Sequence, residues 1–271
     1  MLRWITAVLL VAFVGAQAYA VTPQAHTQKG APAATCRAFA GAFVRLTTQN
    51  GRPFSVYFTG PPSAGLGILL LPSAAGLDES TLAWADRLGA QGYSVVAVNL
   101  NDTAHSSQSN TAQVLAPSQV DTEARAAIHF LSAPGRKVVT LGWGPDGALQ
   151  SLEASAADPA EVSGTVLYNG GASAPASLVK RLKSLVLLIA FSTTTPLPKL
   201  QAFEVRMRRY HKPLMVHYYK VDPKAADPAG PDFDSAIAQQ IWSDAQVFFH
   251  RVTRLCRRCA PYQSYLFDYH N

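Results

Sequence analysis

The chain has 271 residues, of which 48% are hydrophobic and 15% are charged. This composition excludes an intrinsically disordered protein and suffices for the packed core of one sizeable domain. The formal net charge of +6 is modest, and no nucleic-acid-binding motif accompanies it, so nucleic acid is not expected as a partner. The seven His residues are scattered and form no pair at the spacing of metal ligands on a helix, and we expect neither a metal nor a cofactor.

The first twenty residues have the pattern of an export signal. Arg3 is their only charge, an apolar run extends from Ile5 to Val14, and small residues surround Tyr19. Because the apolar run is shorter than the roughly 20 residues that span a bilayer, we predict a cleaved signal peptide over residues 1–20 rather than a membrane anchor. The mature protein is then expected in the periplasm or outside the cell, without a stable membrane anchor.

The three cysteines are Cys36, Cys256 and Cys259. In an oxidising compartment one disulfide is expected, between Cys36 and either Cys256 or Cys259, with one thiol left over. The Cys-x-x-Cys spacing is also compatible with redox or metal chemistry. However, this pair does not follow a strand of a βαβ unit, and no second pair supplies zinc ligands. We therefore favour a structural role.

Beyond a leader and N-terminal segment (residues 21–53), strands and helices are predicted to alternate through one domain (54–253), followed by a tail (254–271). Hydrophobic runs predict strands at Phe54–Phe58 (an edge strand), Gly67–Leu71, Ser94–Val98, 137–143, Val162–Tyr168, Leu185–Ala190 and, as the last strand, Leu214–Tyr219. Helical spacing predicts helices at Asp78–Gln91, Ser118–Ser132, 144–157, Pro198–Tyr210 and Asp232–Val252. This alternation indicates a parallel, doubly wound α/β sheet.

The stretch Lys137–Ala157 combines a β-branched strand, a glycine-rich corner and an alanine-rich helix. This is the context of a nucleophile elbow, in which a Ser or Cys is exposed where a central strand ends. The corner position here is Gly144, which has no side chain but adopts strained turn geometry at little cost. Pro145 suits the first helical position, but it has no N–H to donate to an oxyanion.

Four segments in this order resemble the dienelactone hydrolase family of α/β-hydrolases, over roughly residues 54–253. They are LLPSAAGLDESTLAWADRLGAQGYSVVAVNL, the elbow, VSGTVLYNGG, and the stretch from Tyr218-Tyr219 through Gly230-Pro231 to Phe233-Asp234. The resemblance implies an α/β-hydrolase-type doubly wound, mostly parallel sheet with helices on both faces. It also implies a hydrolase that uses a Cys or Ser, a His and an Asp.

The resemblance places none of these catalytic residue types at the matching positions. The nucleophile position is Gly144, the acid falls near Thr194, the base near Pro223, and the family's loop glutamate near Ser73. Asp146 would also place a carboxylate where an oxyanion is expected to bind. The resemblance therefore identifies a degenerate member with a substituted triad.

The catalytic acid and base are not supplied by neighbouring residues either. No Asp or Glu lies between Lys183 and Gln201, and no His lies between His217 and His250. Our leading hypothesis is a non-catalytic pseudo-hydrolase that binds a small molecule or a protein partner. Its cleft is expected to be lined by Ser73, Ala74, Trp143, Gly144, Pro145, Asp146 and Thr194.

Three alternatives remain open. A carboxylic-ester or lactone hydrolase could use relocated groups, with His105 paired to Ser73, Ser106, Ser107 or Ser192. Asp146 could form a carboxylate pair with Asp102 or Asp222, although surface and capping roles are favoured. Finally, an interaction module could act through its basic helical segments, which are Lys180-Arg181-Lys183, Arg206–Lys212 and Arg251–Arg258.

Overall fold

A computed structural model describes residues 38–100, 117–226, 234–254 and 266–270. For residues 117–121 and 266–270 only the backbone is described. The predicted signal peptide, the leader up to Ala34 and the three cysteines lie outside these ranges. The same holds for Asp102, His105, Ser106 and Ser107 in the polar loop.

Within these described ranges, nine strands form one sheet in the order β1-β2-β4-β3-β5-β6-β7-β8-β9. The strands are β1 (Ala42–Thr47), β2 (Pro53–Thr59), β3 (Leu66–Leu71), β4 (Ser94–Ala97), β5 (Lys137–Trp143), β6 (Val162–Tyr168), β7 (Leu185–Phe191), β8 (Leu214–Tyr219) and β9 (Leu266–His270). Strand β2 pairs antiparallel with β1 and β4, and all other pairs are parallel. This arrangement confirms the predicted mostly parallel α/β sheet.

Helices cover both faces of the sheet. They are α1 (Glu79–Ala90), α2 (Pro117–Leu131), α3 (Gly144–Ala157), α4 (Ala176–Arg181), α5 (Leu197–Arg209) and α6 (Ser235–Arg254), with a short 3-10 helix at Pro223–Ala226. Helices α1 and α6 pack on one face, and α2 to α5 pack on the other. Among the described helices, none combines the length and the apolar character needed to cross a membrane.

The sheet extends beyond the predicted domain at both ends. Strand β1 lies within the predicted N-terminal segment and pairs outside β2, so Phe54–Phe58 is not an edge strand. Strand β9 lies within the predicted tail and pairs with β8, so Leu214–Tyr219 is not the last strand. The side chains of β1 are largely exposed and include Arg45. Strand β1 therefore lacks the continuous buried apolar run by which the central strands are recognised in the sequence.

Helix α3, which begins at the elbow, is tied to the sheet by buried hydroxyl groups. The Ser151 hydroxyl donates to Thr140 Oγ1 at 2.9 Å. The Ser184 hydroxyl lies 2.8 Å from both Thr165 Oγ1 and Ser155 Oγ. Buried hydroxyls without partners are destabilising, so a shift of α3 that broke these hydrogen bonds would cost stability. The hydrogen bonds therefore hold α3 in position under the elbow.

Candidate functional site

The elbow lies where β5 ends at Trp143 and α3 begins at Gly144. Gly144 has a φ of +70°, in the left-handed region that glycine adopts without a steric penalty. Pro145 occupies the first turn of α3, and Asp146 is the acidic residue of that turn. The backbone therefore makes the turn of a nucleophile elbow, while the position of the attacking side chain carries only hydrogen.

Three neighbouring glycines are required by close backbone contacts. A Cβ at Gly142 would overlap the carbonyl oxygen of Gly147, and a Cβ at Gly147 would overlap that of Leu71. A Cβ at Gly170 would overlap the carbonyl oxygen of Gly144. Gly144 differs, since a Cβ there would lie 3.2 Å from the Cβ of Ser73 and would meet no backbone at closer range. The elbow thus keeps its packing requirements and leaves space at the nucleophile position.

A cleft with about 80 Å³ of solvent-accessible space lies beside this position. It is lined by Leu70, Ser73, Asp78, Ser80, Thr81, Trp84 and Trp143. Asp78 caps α1, because its Oδ1 accepts hydrogen bonds from the Thr81 backbone N–H at 2.8 Å and from the Thr81 hydroxyl at 2.7 Å. Among the described lining residues, Asp78 is the only charged one.

An aromatic cluster forms the inner wall of the cleft. Trp143 stacks on Tyr168 with ring centroids 3.9 Å apart, and Trp84 lies 5.1 Å from Trp143. The Trp84 Nε1–H is buried without a hydrogen-bond acceptor among the described residues. The apolar space enclosed by these rings leaves only about 10 Å³ for solvent, no more than a single water molecule occupies. A ligand would therefore be held at the cleft and not inside the cluster.

The structure brings together some of the residues predicted to line the cleft. Ser73 and Trp143 line it, and Gly144 adjoins Ser73. Ala74, Pro145 and Asp146 are exposed, and they are not among the cleft-lining residues given above.

The positions matched to the catalytic acid and base carry out local structural tasks. The Thr194 hydroxyl donates to Asn169 Oδ1 in the loop after β6, and Pro223 begins the 3-10 helix. Asp222, the candidate carboxylate partner of Asp146, accepts a hydrogen bond from the Lys224 backbone N–H at 2.9 Å. No group of three His, Cys, Asp or Glu residues is assembled within the described part of the chain.

Sequence reasoning did not identify the residues that α1 contributes to the cleft. Asp78, Ser80, Thr81 and Trp84 lie in the first turns of α1 or cap it. A signal was present, since the helix after β3 begins at the carboxyl edge of the sheet, where ligands bind in α/β proteins.

A buried histidine–carboxylate pair was also missed. His217 Nδ1 lies 3.1 Å from Asp244 Oδ2, the Tyr219 hydroxyl donates to the same oxygen, and the Gln240 amide lies 3.2 Å from Asp244 Oδ1. These residues come from β8 and α6, and their contact is produced only by packing. No spacing of residues along the chain predicts this contact.

The register of the sheet separates His217 from the elbow. Trp143 pairs with Tyr168, Tyr168 with Ile189, and Ile189 with His217. His217 therefore lies in the same row as Trp143 but three strands away, a Cα separation of about 14 Å at the usual strand spacing. This is far beyond the hydrogen-bond reach that a general base needs to activate a nucleophile.

Part of the predicted basic segments holds α5 against its neighbours. The Arg206 guanidinium donates to the Ala174 carbonyl, and the Lys212 ammonium donates to the Leu182 carbonyl at 2.6 Å. Burial, with a smaller contribution from the nearby Lys183 charge, lowers the pKa of Lys212. An interaction role for the remaining basic residues stays a prediction.

The sequence matches no protein-family model and no curated protein. The structure is similar to that of a putative dienelactone hydrolase from Klebsiella pneumoniae, with a TM-score of 0.65 and 15% identity over 79% of this chain and 100% of that one. A dienelactone hydrolase-like promiscuous phosphotriesterase from metagenomic libraries has a TM-score of 0.58 and 21% identity over 79% of this chain and 99% of its own.

A third similar structure is brefeldin A esterase, described as a bacterial homologue of human hormone sensitive lipase. Its TM-score is 0.62 at 12% identity, over 84% of this chain and 81% of that one. At identities this low, the likenesses establish a shared fold, and the activity has to be argued from the site.

Proposed function

We propose that this chain, which has the α/β-hydrolase fold, is an exported, dienelactone-hydrolase-like pseudo-hydrolase that binds a ligand without hydrolysing it. The binding site is the cleft between Ser73, Asp78 and Trp143. The observation that carries the proposal is Gly144, which occupies the elbow with a φ of +70° and offers no attacking atom.

The chemistry of acyl transfer explains why this one position matters so much. A covalent mechanism needs a nucleophile within hydrogen-bond reach of a base, and it needs backbone donors aimed at the oxyanion. The residue after the nucleophile normally supplies one donor, and Pro145 has none to give. Loss of one such donor costs about 2.7–4 kcal/mol of transition-state stabilisation.

The surroundings of the elbow support the same conclusion. The Thr194 hydroxyl donates to Asn169. His217 contacts Asp244 and lies about 14 Å from Trp143 along the sheet row. A carboxylate at Asp146, in the first turn of α3, satisfies the positive end of that helix and opposes a second negative charge there. An oxyanion would therefore be disfavoured at this helix end.

A direct test measures hydrolysis by the purified protein. We expect no turnover of p-nitrophenyl acetate or of an aryl lactone above the buffer rate, and no adduct mass after treatment with a fluorophosphonate. An adduct on Ser73 or Ser192, or turnover that Ser73→Ala abolishes, would favour the alternative of a hydrolase with relocated catalytic groups and would refute the proposal.

The binding part of the proposal is tested separately. A ligand that occupies the cleft stabilises the folded state and raises Tm, so a thermal-shift screen of small polar and aromatic compounds should yield stabilising ligands. Trp143→Ala should remove their effect, because Trp143 lines the cleft. Stabilisation that is unchanged in this variant would place the binding site elsewhere.

Export rests on the pattern of the first twenty residues. Expression of the full chain followed by fractionation and N-terminal sequencing should give an exported protein that has lost residues 1–20. Non-reducing peptide mapping should then reveal one disulfide between Cys36 and either Cys256 or Cys259. A full-length chain retained in the cytoplasm, with three free thiols, would contradict this part of the proposal.

A further inference from the structure

We infer that the cleft binds a small organic cation, with an alkylammonium or quaternary ammonium group held between the Asp78 carboxylate and the Trp143 indole. The inference rests on the proposed function, since it names the ligand class of that same cleft. Three observations carry it: the charge of the cleft, its aromatic wall and its open space.

The charge at the cleft is negative. Asp78 is the only charged residue among those that line the described cleft, and Glu79 follows it in the first turn of α1. A helix N-terminus carries only about half of a positive charge, so the carboxylates of Asp78 and Glu79 outweigh the amino end of α1. An anionic ligand is repelled, and a cation is attracted.

The aromatic wall offers the second contact that an organic cation requires. Trp143 is partly exposed at the cleft, and Tyr168 stacks on one side of its ring. A tryptophan ring attracts a cation through its negatively charged face, and quaternary ammonium groups are bound in this way by aromatic residues.

The same aromatic cluster already binds a cation within the fold. The guanidinium carbon of Arg87 lies 4.5 Å from the ring centroid of Trp242 and 5.7 Å from that of Trp84. Trp84 is shared, because its ring centroid lies 5.5 Å from that of Trp242 and 5.1 Å from that of Trp143, with which it lines the cleft. The cleft therefore presents an indole and a carboxylate in a cluster whose rings are suited to cations.

The third observation is the space beside Ser73. A Cβ at Gly144 would lie only 3.2 Å from the Cβ of Ser73, so a Ser or Cys there would narrow the cleft. The cleft offers about 80 Å³ of solvent-accessible space, several times what one water molecule needs, which suits a small ammonium group. The hydroxyls of Ser80 and Thr81 add polar groups to its wall.

The first experiment compares a cation with its neutral isostere on the unmodified protein. Choline, tetramethylammonium and benzyltrimethylammonium are titrated by calorimetry, with 3,3-dimethylbutan-1-ol as the uncharged counterpart of choline and benzoate as an anion. We expect choline to bind about tenfold more tightly than the alcohol, with an affinity that falls as salt rises, and we expect benzoate not to bind.

The second experiment removes the charge but keeps the helix cap. Asn caps helices about as well as Asp, so Asp78→Asn should leave Tm nearly unchanged and weaken choline binding about tenfold. Glu161→Gln is the matched control, because it removes one negative charge next to the amino end of β6, at the opposite edge of the sheet. This control should bind choline as the unmodified protein does.

The outcomes separate the inference from the proposed function. If the neutral alcohol binds as tightly as choline, or if Asp78→Asn binds choline undiminished, the cation inference is wrong and a binding cleft remains. The cation inference is also wrong if none of the three cations binds while neutral compounds stabilise the protein and Trp143→Ala removes that effect. If no compound of any charge binds, the proposed binding function fails with it.

Discussion

The elbow and the His217–Asp244 pair are opposites in what they retain. The elbow has the backbone turn of a nucleophile elbow but no attacking side chain, since tightly packed glycines surround Gly144. The His217–Asp244 pair has the residue types and the 3.1 Å contact of a catalytic base and its orienting acid, but it is buried between β8 and α6. Catalytic residue types are meaningful only where the backbone presents them to a nucleophile.

The difference also shows which constraint on a site is the stronger. Close backbone contacts at Gly142, Gly147 and Gly170 are required for folding, whatever the chain does. An attacking atom at Gly144 is required only for turnover. The turn can therefore persist in a chain that carries no attacking side chain at this position.

The largest effect is expected where the elbow's backbone is tightest. Gly147→Ala introduces a Cβ that overlaps the carbonyl oxygens of Leu71 and Pro72. Because backbone atoms cannot rotate away as a side chain can, we expect a loss of about 4 kcal/mol or more in the free energy of unfolding. Urea denaturation followed by circular dichroism measures it.

A glycine in open space is the control for this variant. Gly51 has a φ of +82° and no atom within 4 Å of an added Cβ. Gly51→Ala should therefore cost only about 1 kcal/mol, from the backbone conformation alone. If Gly147→Ala were as mild as this control, the elbow would be loosely packed and the contrast drawn here would fail.

The next largest effect is expected at the histidine–carboxylate pair. Asp244→Ala leaves the Tyr219 hydroxyl and His217 without the oxygen that they share, and we expect a destabilisation of about 3 kcal/mol. Asp244→Asn keeps an acceptor and should cost less. Ligand binding at the cleft should be unchanged in folded Asp244→Asn. A loss of binding there would mean that the pair belongs to the functional site.

The central fold was predictable because its strands are continuous apolar runs buried on both faces. Strands β3, β7 and β8 are buried at every position, and the sequence shows this directly. The edges were not predictable, because β1 exposes most of its side chains and pairs through its backbone. A short exposed strand leaves no periodic hydrophobic signal.

The site was predictable to the same partial extent. Gly144 and Trp143 follow from the strand–turn–helix pattern, and Ser73 follows from the family resemblance, which matches it to the family's loop glutamate. Asp78 and Trp84 enter the cleft only through the packing of α1 on the sheet. The His217–Asp244 contact joins a strand and a helix that are distant in sequence, so only the tertiary structure could reveal it.

A third prediction concerns a second buried carboxylate, that of Glu123. Glu123 is 1% exposed, with Arg52 Nη2 at 3.0 Å from its Oε1. Burial raises the pKa of Glu123 from 4.5 to about 7, against the lowering effect of Arg52. The folded state thus favours the protonated acid. The contribution of Glu123 to the free energy of unfolding is therefore intact below pH 4.5 and is lost as the pH rises through 7.

Replacing this carboxylate with an amide should remove the pH-dependent loss. We expect Glu123→Gln to raise the free energy of unfolding by about 2 kcal/mol at pH 8 and to change it little at pH 4.5. Urea titrations at both pH values measure the difference. A variant that is less stable than the parent at pH 8 would show that the Arg52 ion pair outweighs the cost of burial.

The smallest change in stability, and the sharpest test of the comparison, comes from restoring a hydroxyl at the elbow. Gly144→Ser should cost about 1 kcal/mol, because a side chain is added at a φ of +70° and at 3.2 Å from the Ser73 Cβ. Gly144→Ala shares both costs and is the matched control. We expect Gly144→Ser to hydrolyse p-nitrophenyl acetate no faster than Gly144→Ala, since Pro145 donates no hydrogen bond and His217 lies about 14 Å away along the sheet. A fluorophosphonate adduct at position 144 of Gly144→Ser, and at no other residue, would mean that a base reaches the elbow and that the chain lacks only the nucleophile.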